Sequence, residues 1–492
     1  MLMKNKKYQD YYNKANKELL NNNYDNAIEY YKKLLELKEN DLICLNELGN
    51  LYKNINRFND AIICYEKIVN IETDLCKKCV ILNEIGTCFN IMENYVKAIE
   101  YFEKILQINN NVYEVYNNIS CSYFKMKNFT LCESNCYKSL RIKMNNTALY
   151  QLADLYFFTK KYEVAVKFYE KIDGYHNNNK IKYNCSFPYL AQKKFIEGFK
   201  LYENRLEFNN LCSQMKQKQR VEIPQIKDWT GIEPCNNLLV IYEQGIGDNI
   251  QYYRFLIELS ELHPNMKIYY FCKDFIQHIF KEYDNIHIIQ NVNFNDYDFK
   301  IYIMSLPYIL KINEIKPNVI NYIYVNNNKL EYWKRELSKL KKYKVGITYN
   351  GLLSSVIDKN IPLTEFNVLF NDGIDLICIH KLDEINNEHK EMFKDKIHFF
   401  DIDKDIAFED TIAILHNIDL LITVDTFIVH LSGILNVKTW LLLGFISDWR
   451  WFDDDICHWY KSVELIRMKK NEELKSILSD VKDKLLFHNN NN

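Results

Sequence analysis

The chain has 492 residues, 48% of them hydrophobic, enough to bury two or three ordinary cores, so disorder is excluded as its default state. Its 63 basic and 65 acidic residues nearly cancel, which argues against nucleic acid or an anionic membrane as a partner gripped by charge. No segment approaches the roughly 18 uninterrupted apolar residues of a spanning helix, and MLMKNKKYQDYYNKANKELL at the start has no apolar core region, so no membrane span and a cytoplasmic location are expected.

The first predicted elements are helical phrases that recur. AIEYYKKLLEL at Ala27, AIICYEKIVNI at Ala61, AIEYFEKILQI at Ala98, LCESNCYKSLRI at 131–142 with Cys132 in register, and AVKFYEKI at Ala165 follow one another at spacings of 34, 37, 34 and 33 residues. A second register of small residues, Ala15, Gly49, Gly86, Ser120 and Ala153, lies midway along each preceding helix. Small residues let two helices approach closely, while aromatic and branched side chains at i, i+3 and i+4 fill the space between neighbours. This pattern resembles the tetratricopeptide repeat, with five copies and a degenerate sixth at 187–208, and predicts an α-solenoid over residues 1–208. The concave face of such a stack commonly holds an extended peptide or a partner helix, so a protein or peptide partner is expected there; a plain spacer is the alternative.

Fourteen cysteines are scattered singly and suggest no disulfide framework. Cys76 and Cys79 form a lone CxxC with neither a second pair nor histidines nearby, so reduced thiols are expected rather than zinc. Cys132 and Cys136 are expected to fill a helix face. The sequons at Asn118 and Asn128 arise easily in an Asn-rich chain.

Residues 209–236 lose the helical period and contain two of the seven prolines, which marks a linker. After it, strand-like runs at 238–242, 267–271, 286–290 and 299–304 alternate with helical stretches. A charged amphipathic helix is predicted over 328–341, and a second set of strands at 344–349, 374–379, 418–424 and 438–444. These alternations predict two doubly wound lobes, 237–325 and 326–486, with ligands beyond the carboxyl ends of the strands.

Two such strand ends carry chemistry. In LLVIYEQGIGDNIQYYRF (238–255) an apolar strand runs into Gly245-Ile246-Gly247-Asp248 and then a helix; the glycines allow a tight turn, and Asp248 is either an acid/base group or an N-cap. In IDLLITVDTFIVHLSGIL (418–435) the strand stops at Val424, Asp425-Thr426 turn, and a helix follows with His430 one turn in. A helix N-terminus with the Thr426 hydroxyl suits a diphosphate; the competing reading makes Asp425 or Thr426 a cap and His430 an internal histidine.

The ordered series EGFKLYENRL, DWTG (228–231), YEQGIGDNIQYYRF, KNIPL (359–363), VDTFIVHLSG and SDWRWFDDDICHWYKSVELIR (447–467) resembles tetratricopeptide-repeat proteins with a C-terminal glycosyltransferase domain. That domain is similar to the heptosyltransferases and, more distantly, to the O-linked N-acetylglucosamine transferases. The resemblance implies a GT-B-like domain of two Rossmann-like lobes and an inverting transfer from a nucleotide-sugar donor without metal or cofactor. Asp248 is then the base that takes the acceptor proton, and Lys359 neutralises the departing diphosphate, unless it is a solvated loop lysine. Gly245, Gly247, Asp425, Thr426 and His430 would hold the nucleotide. The chain departs from that pattern at Phe427, where a small residue is usual after Asp-Thr, at TYNG (348–351) in place of a tryptophan-alanine-glycine phrase, and at the shortened LLSSVID loop. Its first lobe is also short for an acceptor-binding half. Asp453, Asp454 and Asp455 are expected to form a solvated turn. The alternative is an interaction scaffold whose α/β half no longer catalyses.

Overall fold

The computed structural model describes residues 2–207, 223–351, 359–469 and 472–489. It divides into two compact units, residues 1–174 and 175–492.

The first unit is five antiparallel helix pairs, running from Leu2–Leu20 and Tyr24–Leu37 to Asn146–Phe158 and Tyr162–Glu170. Each pair turns through one residue in the left-handed region: Asn22, Asn56, Glu93, Lys127 and Lys160, all with φ between 58° and 63°. Among residues with a Cβ asparagine tolerates that conformation best, and the recurrence of charged residues there shows that the flanking helices dictate the turn. Inside each pair a small residue on the first helix faces a larger one on the second. A Cβ on Gly49 would lie 2.7 Å from the Tyr65 ring, and one on Gly86 would lie 2.5 Å from Phe102. The fourth pair compensates differently, with Ser120 and Cys136 in these two registers and both buried. Ser120 Oγ donates to the Asn117 carbonyl at 2.8 Å. Cys132 and Cys136 are fully buried on the helix face, as their spacing suggests. Cys76 and Cys79 lie in the first and second turns of Leu75–Ile91, whose N-cap Asp74 accepts from the Cys76 amide at 2.8 Å.

The second unit opens with one more helix pair, Asn179–Ala191 and Phe195–Tyr202, which keeps the same turn at Lys193 (φ 61°). Its partners are in the α/β part: Phe195 meets Phe452 edge-on and Phe199 meets Trp449. Of the expected linker, 209–222 lie outside the described residues, and the rest packs down. Ile223 and Ile226 are buried with Leu239, Ile241 and Tyr302, and the Trp229 amide donates to the Lys300 carbonyl at 2.7 Å.

Two parallel sheets follow. The first comprises β1 (Asn237–Ile241), β2 (Lys267–Phe271), β3 (Ile286–Ile289) and β4 (Phe299–Tyr302), in the order β3-β2-β1-β4. The second comprises β5 (Tyr343–Thr348), β6 (Ile374–Cys378), β7 (Ile397–Phe399), β8 (Leu420–Val424), β9 (Thr439–Leu443) and β10 (Val463–Arg467). Its order, β10-β9-β8-β5-β6-β7, is the 3-2-1-4-5-6 arrangement of doubly wound sheets. All eight expected strands are present. β7 and β10 are additional; β7 is only three residues, and β10 alternates Val463, Leu465 and Arg467 with Glu464 and Ile466, too short a signal to stand out from its aromatic surroundings. The helix expected at 328–341 is Asn327–Leu337; buried Trp333 donates Nε1–H to Asp410 at 2.7 Å.

Candidate functional site

In a doubly wound sheet the chain reverses direction beside its first strand, and the crevice beyond the carboxyl ends there is where ligands lie. In the second sheet that point falls between β5 and β8. The segments leaving them, Asn350-Gly351 and Asp425 to Ile428, line a cavity of about 470 Å3 together with Gly245 to Asp248 from the end of β1. All seven residues singled out in the sequence, Gly245, Gly247, Asp248, Lys359, Asp425, Thr426 and His430, are on its wall.

The β1 end is pinned from several sides. Gln244 sits in the left-handed region (φ 65°) and donates to the Tyr202 hydroxyl at 2.8 Å. Asn249 Nδ2 donates to the carbonyls of Glu243 and Gly245 at 2.8 and 2.7 Å. The helix Ile246–Leu262 starts there with Gly245, not Asp248, as its N-cap; Asp248 is the third helical residue, and its Oδ2 accepts the Gly245 amide at 2.9 Å, so the carboxylate braces the helix start from inside. Its other oxygen accepts from Arg450 Nη2 at 2.6 Å. Gly247 is small because a second helix comes close: a Cβ there would be 3.1 Å from His430 Cδ2 and 3.2 Å from Phe427 Cα.

That second helix is Phe427–Ile434, with Thr426 as N-cap accepting from the Ile428 amide at 3.3 Å. Phe427 packs edge-on against Phe408, ring centroids 4.9 Å apart, and both line the cavity, which is present despite this bulky residue. His430 is buried, stacks on Trp451 and bonds Tyr460 Oη through Nδ1 at 2.9 Å. Burial, with the charge of Arg450 behind it, pushes its pKa down to about 3, so the imidazole is neutral. It is an internal histidine that nonetheless reaches the cavity wall.

Lys359 Nζ lies 2.6 Å from Asp425 Oδ2. Burial opposes its charge, but Asp425 and Asp448 outweigh it and hold the ammonium above its ordinary value. It is not a solvated loop lysine. The KNIPL segment docks on the end of β5: the Gly351 amide donates to Asn360 Oδ1 at 2.5 Å, and the Ile361 amide to the Tyr349 carbonyl at 3.0 Å. Tyr349, in the unusual TYNG phrase, packs on His380, whose Nε2 accepts the Tyr349 amide at 3.2 Å. The LLSSVID loop lies outside the described residues.

The centre of the cluster is a residue that sequence reasoning did not single out. Arg450 donates Nε–H to Gln251 Oε1 (3.1 Å), Nη1–H to Asp448 Oδ1 (2.9 Å) and Nη2–H to Asp248, with Trp449 against its face. Burial opposes the guanidinium charge, and Asp448 and Asp248 overcome it. Asp448 is likewise disfavoured by burial, but Arg450 and Lys359 keep its carboxyl below the usual range. For Asp248 the balance tips the other way, and withdrawal from water raises its pKa in spite of Arg450. The signal was an arginine between two tryptophans in SDWRW, a charge in apolar company that must find buried partners. Of the acidic run beyond it, Asp454 pairs with Lys193 and His458, while Asp453 and Asp455 are exposed. Among the described residues no group of three or more His, Cys, Asp or Glu side chains is arranged to hold a metal ion, and no helix is long and apolar enough to cross a membrane.

Comparison with known proteins bears on the N-terminal part. The tetratricopeptide-repeat family profile matches residues 11–41, 44–74 and 147–175. A TPR repeat-containing protein of Methanocaldococcus jannaschii is 42% identical over 53 residues, which span 11% of this chain and 17% of that relative's length. Among solved structures, MamA is 23% identical, with 33% of this chain and 94% of the other covered and a TM-score of 0.30. A tetratricopeptide repeat protein from Parabacteroides merdae is 13% identical, covering 52% and 88%, with a TM-score of 0.36. The profile matches, and the helix pairs in which they fall, establish that the N-terminal part of this chain carries tetratricopeptide repeats.

Proposed function

We propose that the α/β part is a GT-B-type glycosyltransferase that moves a sugar from a nucleotide-sugar donor to an acceptor recruited by the repeats, inverting the anomeric centre without metal. One observation carries this reading: an acidic group on the first sheet's helix N-terminus and a cation beside the second sheet's helix N-terminus line one cavity. Asp248, raised by burial, takes the acceptor hydroxyl proton as that oxygen attacks the anomeric carbon. Lys359 and the amides at Thr426 and Phe427 receive the charge of the departing diphosphate. Gly247 lets the two helix ends approach, so that base and leaving-group site face a single sugar.

A non-catalytic scaffold is the second reading, favoured by the engagement of both Asp248 oxygens and of Thr426 in helix capping and ion pairing. A thermal-shift screen with UDP, ADP, GDP and CMP at about a millimolar separates the two. The enzyme reading expects one nucleoside diphosphate to raise the melting temperature, with the shift surviving a chelator. No shift with any of them leaves the scaffold.

A further inference from the structure

Five carboxylates line the cavity, Asp248, Glu384, Asp403, Asp425 and Asp448, against three permanent cations, Lys359, Lys381 and Arg450. Two of these cations are already engaged, and only Lys381 is left to meet an added charge. Lys359 is held by Asp425, and Arg450 is divided between Asp248 and Asp448. A site with this excess of acid accommodates a nucleotide-sugar, whose two phosphates carry one charge each, more easily than the nucleoside diphosphate left after transfer. The terminal phosphate of that product gains a second ionisation near pH 6, so close to one further negative charge appears at neutral pH.

We propose that the nucleoside diphosphate is held with a proton on Asp248, so that the proton taken from the acceptor leaves the site only with the nucleotide. This rests on the glycosyltransferase reading above. The step balances: the acceptor oxygen bonds to the anomeric carbon, the bond from that carbon to the β-phosphate oxygen breaks, and its electron pair stays on the phosphate. The acceptor proton passes to Asp248. Ligand and carboxylate change charge by equal and opposite amounts, and the buried cluster sees no net change.

The surroundings single out Asp248 as the proton's seat. From its own helix it faces the Gly245 amide and Tyr252; from the 448–450 segment, Arg450 and Asp448; from the KNIPL segment, Lys359. Burial drives His430 to about 3 and His380 to about 4, so neither holds a proton at neutral pH. Burial raises Asp403 as well, but its oxygens are taken locally, Oδ1 by the Asp410 and Thr411 amides and Oδ2 by the Thr411 hydroxyl. Glu384 is exposed to water. Asp448 is held low by two cations and Asp425 is paired with Lys359, whereas Asp248 shares Arg450 with Asp448 and is raised in spite of it.

Calorimetric titration of UDP, ADP and GDP, and of UDP-glucose, ADP-glucose and GDP-mannose, into the full chain near pH 7 tests this, each in buffers of low and high ionisation enthalpy. The diphosphate that binds is expected to take up roughly half to one proton per site, and its affinity to rise as pH falls, by up to about tenfold per unit. Its sugar derivative should take up none. In Asp248→Asn, whose side-chain oxygen can still accept the Gly245 amide, the uptake should vanish without loss of diphosphate affinity. Uptake that persists in Asp248→Asn, or diphosphate binding with no proton exchange in the wild type, overturns the inference and leaves the glycosyltransferase reading intact. Failure of every nucleotide to bind overturns both.

Discussion

Arg205 and Glu243 are both fully buried, and the guanidinium of one donates to the carboxylate of the other through Nε (3.2 and 3.1 Å) and Nη2 (2.8 Å). Arg205 follows the helix Phe195–Tyr202 and Glu243 is the second residue after β1, so within the second unit this pair ties its opening helix pair to the loop that presents Asp248. Nη2 also reaches Ser305 Oγ at 2.7 Å, which leaves few of its donors idle.

Removing one partner of such a pair strands a buried charge, at a cost of about 3–5 kcal/mol, whereas replacing both costs much less. Arg205→Met is therefore expected to lower the denaturant midpoint of the α/β part sharply, and Arg205→Met with Glu243→Gln to recover most of it. A single variant no less stable than the double would show that the pair does not bind the helices to the sheet. A fragment of residues 1–174 should stay helical and unfold as it does in the whole chain, because each repeat contacts only its neighbours.

Asp248→Asn and Lys359→Ala should fail differently. The amide removes proton affinity and keeps an acceptor for the Gly245 amide, so transfer should stop while nucleotide affinity holds. Loss of Lys359 leaves Asp425 beside the diphosphate without its cation, and nucleotide affinity should drop at least about tenfold along with turnover. Equal losses of affinity in the two variants would make Asp248 a structural cap.

Gly247→Ala tests the close approach of the two helix ends. The backbone of Phe427 cannot yield to a Cβ at 3.2 Å, so the ends must part by a few tenths of an ångström. Alanine favours the helix by up to about 1 kcal/mol, and stability should change little. Nucleotide affinity should fall by roughly tenfold or more, since the alignment at such a site tolerates little displacement. Unchanged affinity would mean that the ligand does not bridge the two ends.

Buried neutral histidines set an acid limit. His430 and His380 are pushed below their ordinary value, to about 3 and about 4, so the unfolded chain binds their protons first as pH falls. Their contribution is intact above about pH 6.5 and is lost below it, each histidine adding a slope approaching 1.4 kcal/mol per pH unit down to its folded value. Urea unfolding between pH 7 and pH 5 should show a shallower decline in His430→Gln than in the wild type. Identical slopes would show that His430 titrates normally.

The repeats and eight of the ten strands are legible in the sequence because they depend on local order: a 3.6-residue apolar period, a small residue opposite a large one, short apolar runs closed by Gly, Asp or Pro. The strand ends carrying Asp248 and Asp425 are legible for the same reason. What Asp248 does with its two oxygens is not, since Arg450 lies some two hundred residues away and only the packing of both sheets brings it near. Placement of the Asn179–Ala191 and Phe195–Tyr202 pair in the α/β unit is likewise a tertiary decision. Their sequence still resembles a repeat and their turn at Lys193 is the repeat's own, but the faces they bury meet Trp449 and Phe452. Local pattern determines which elements form; the partners of a buried charge are chosen only when distant elements close around it and exclude water.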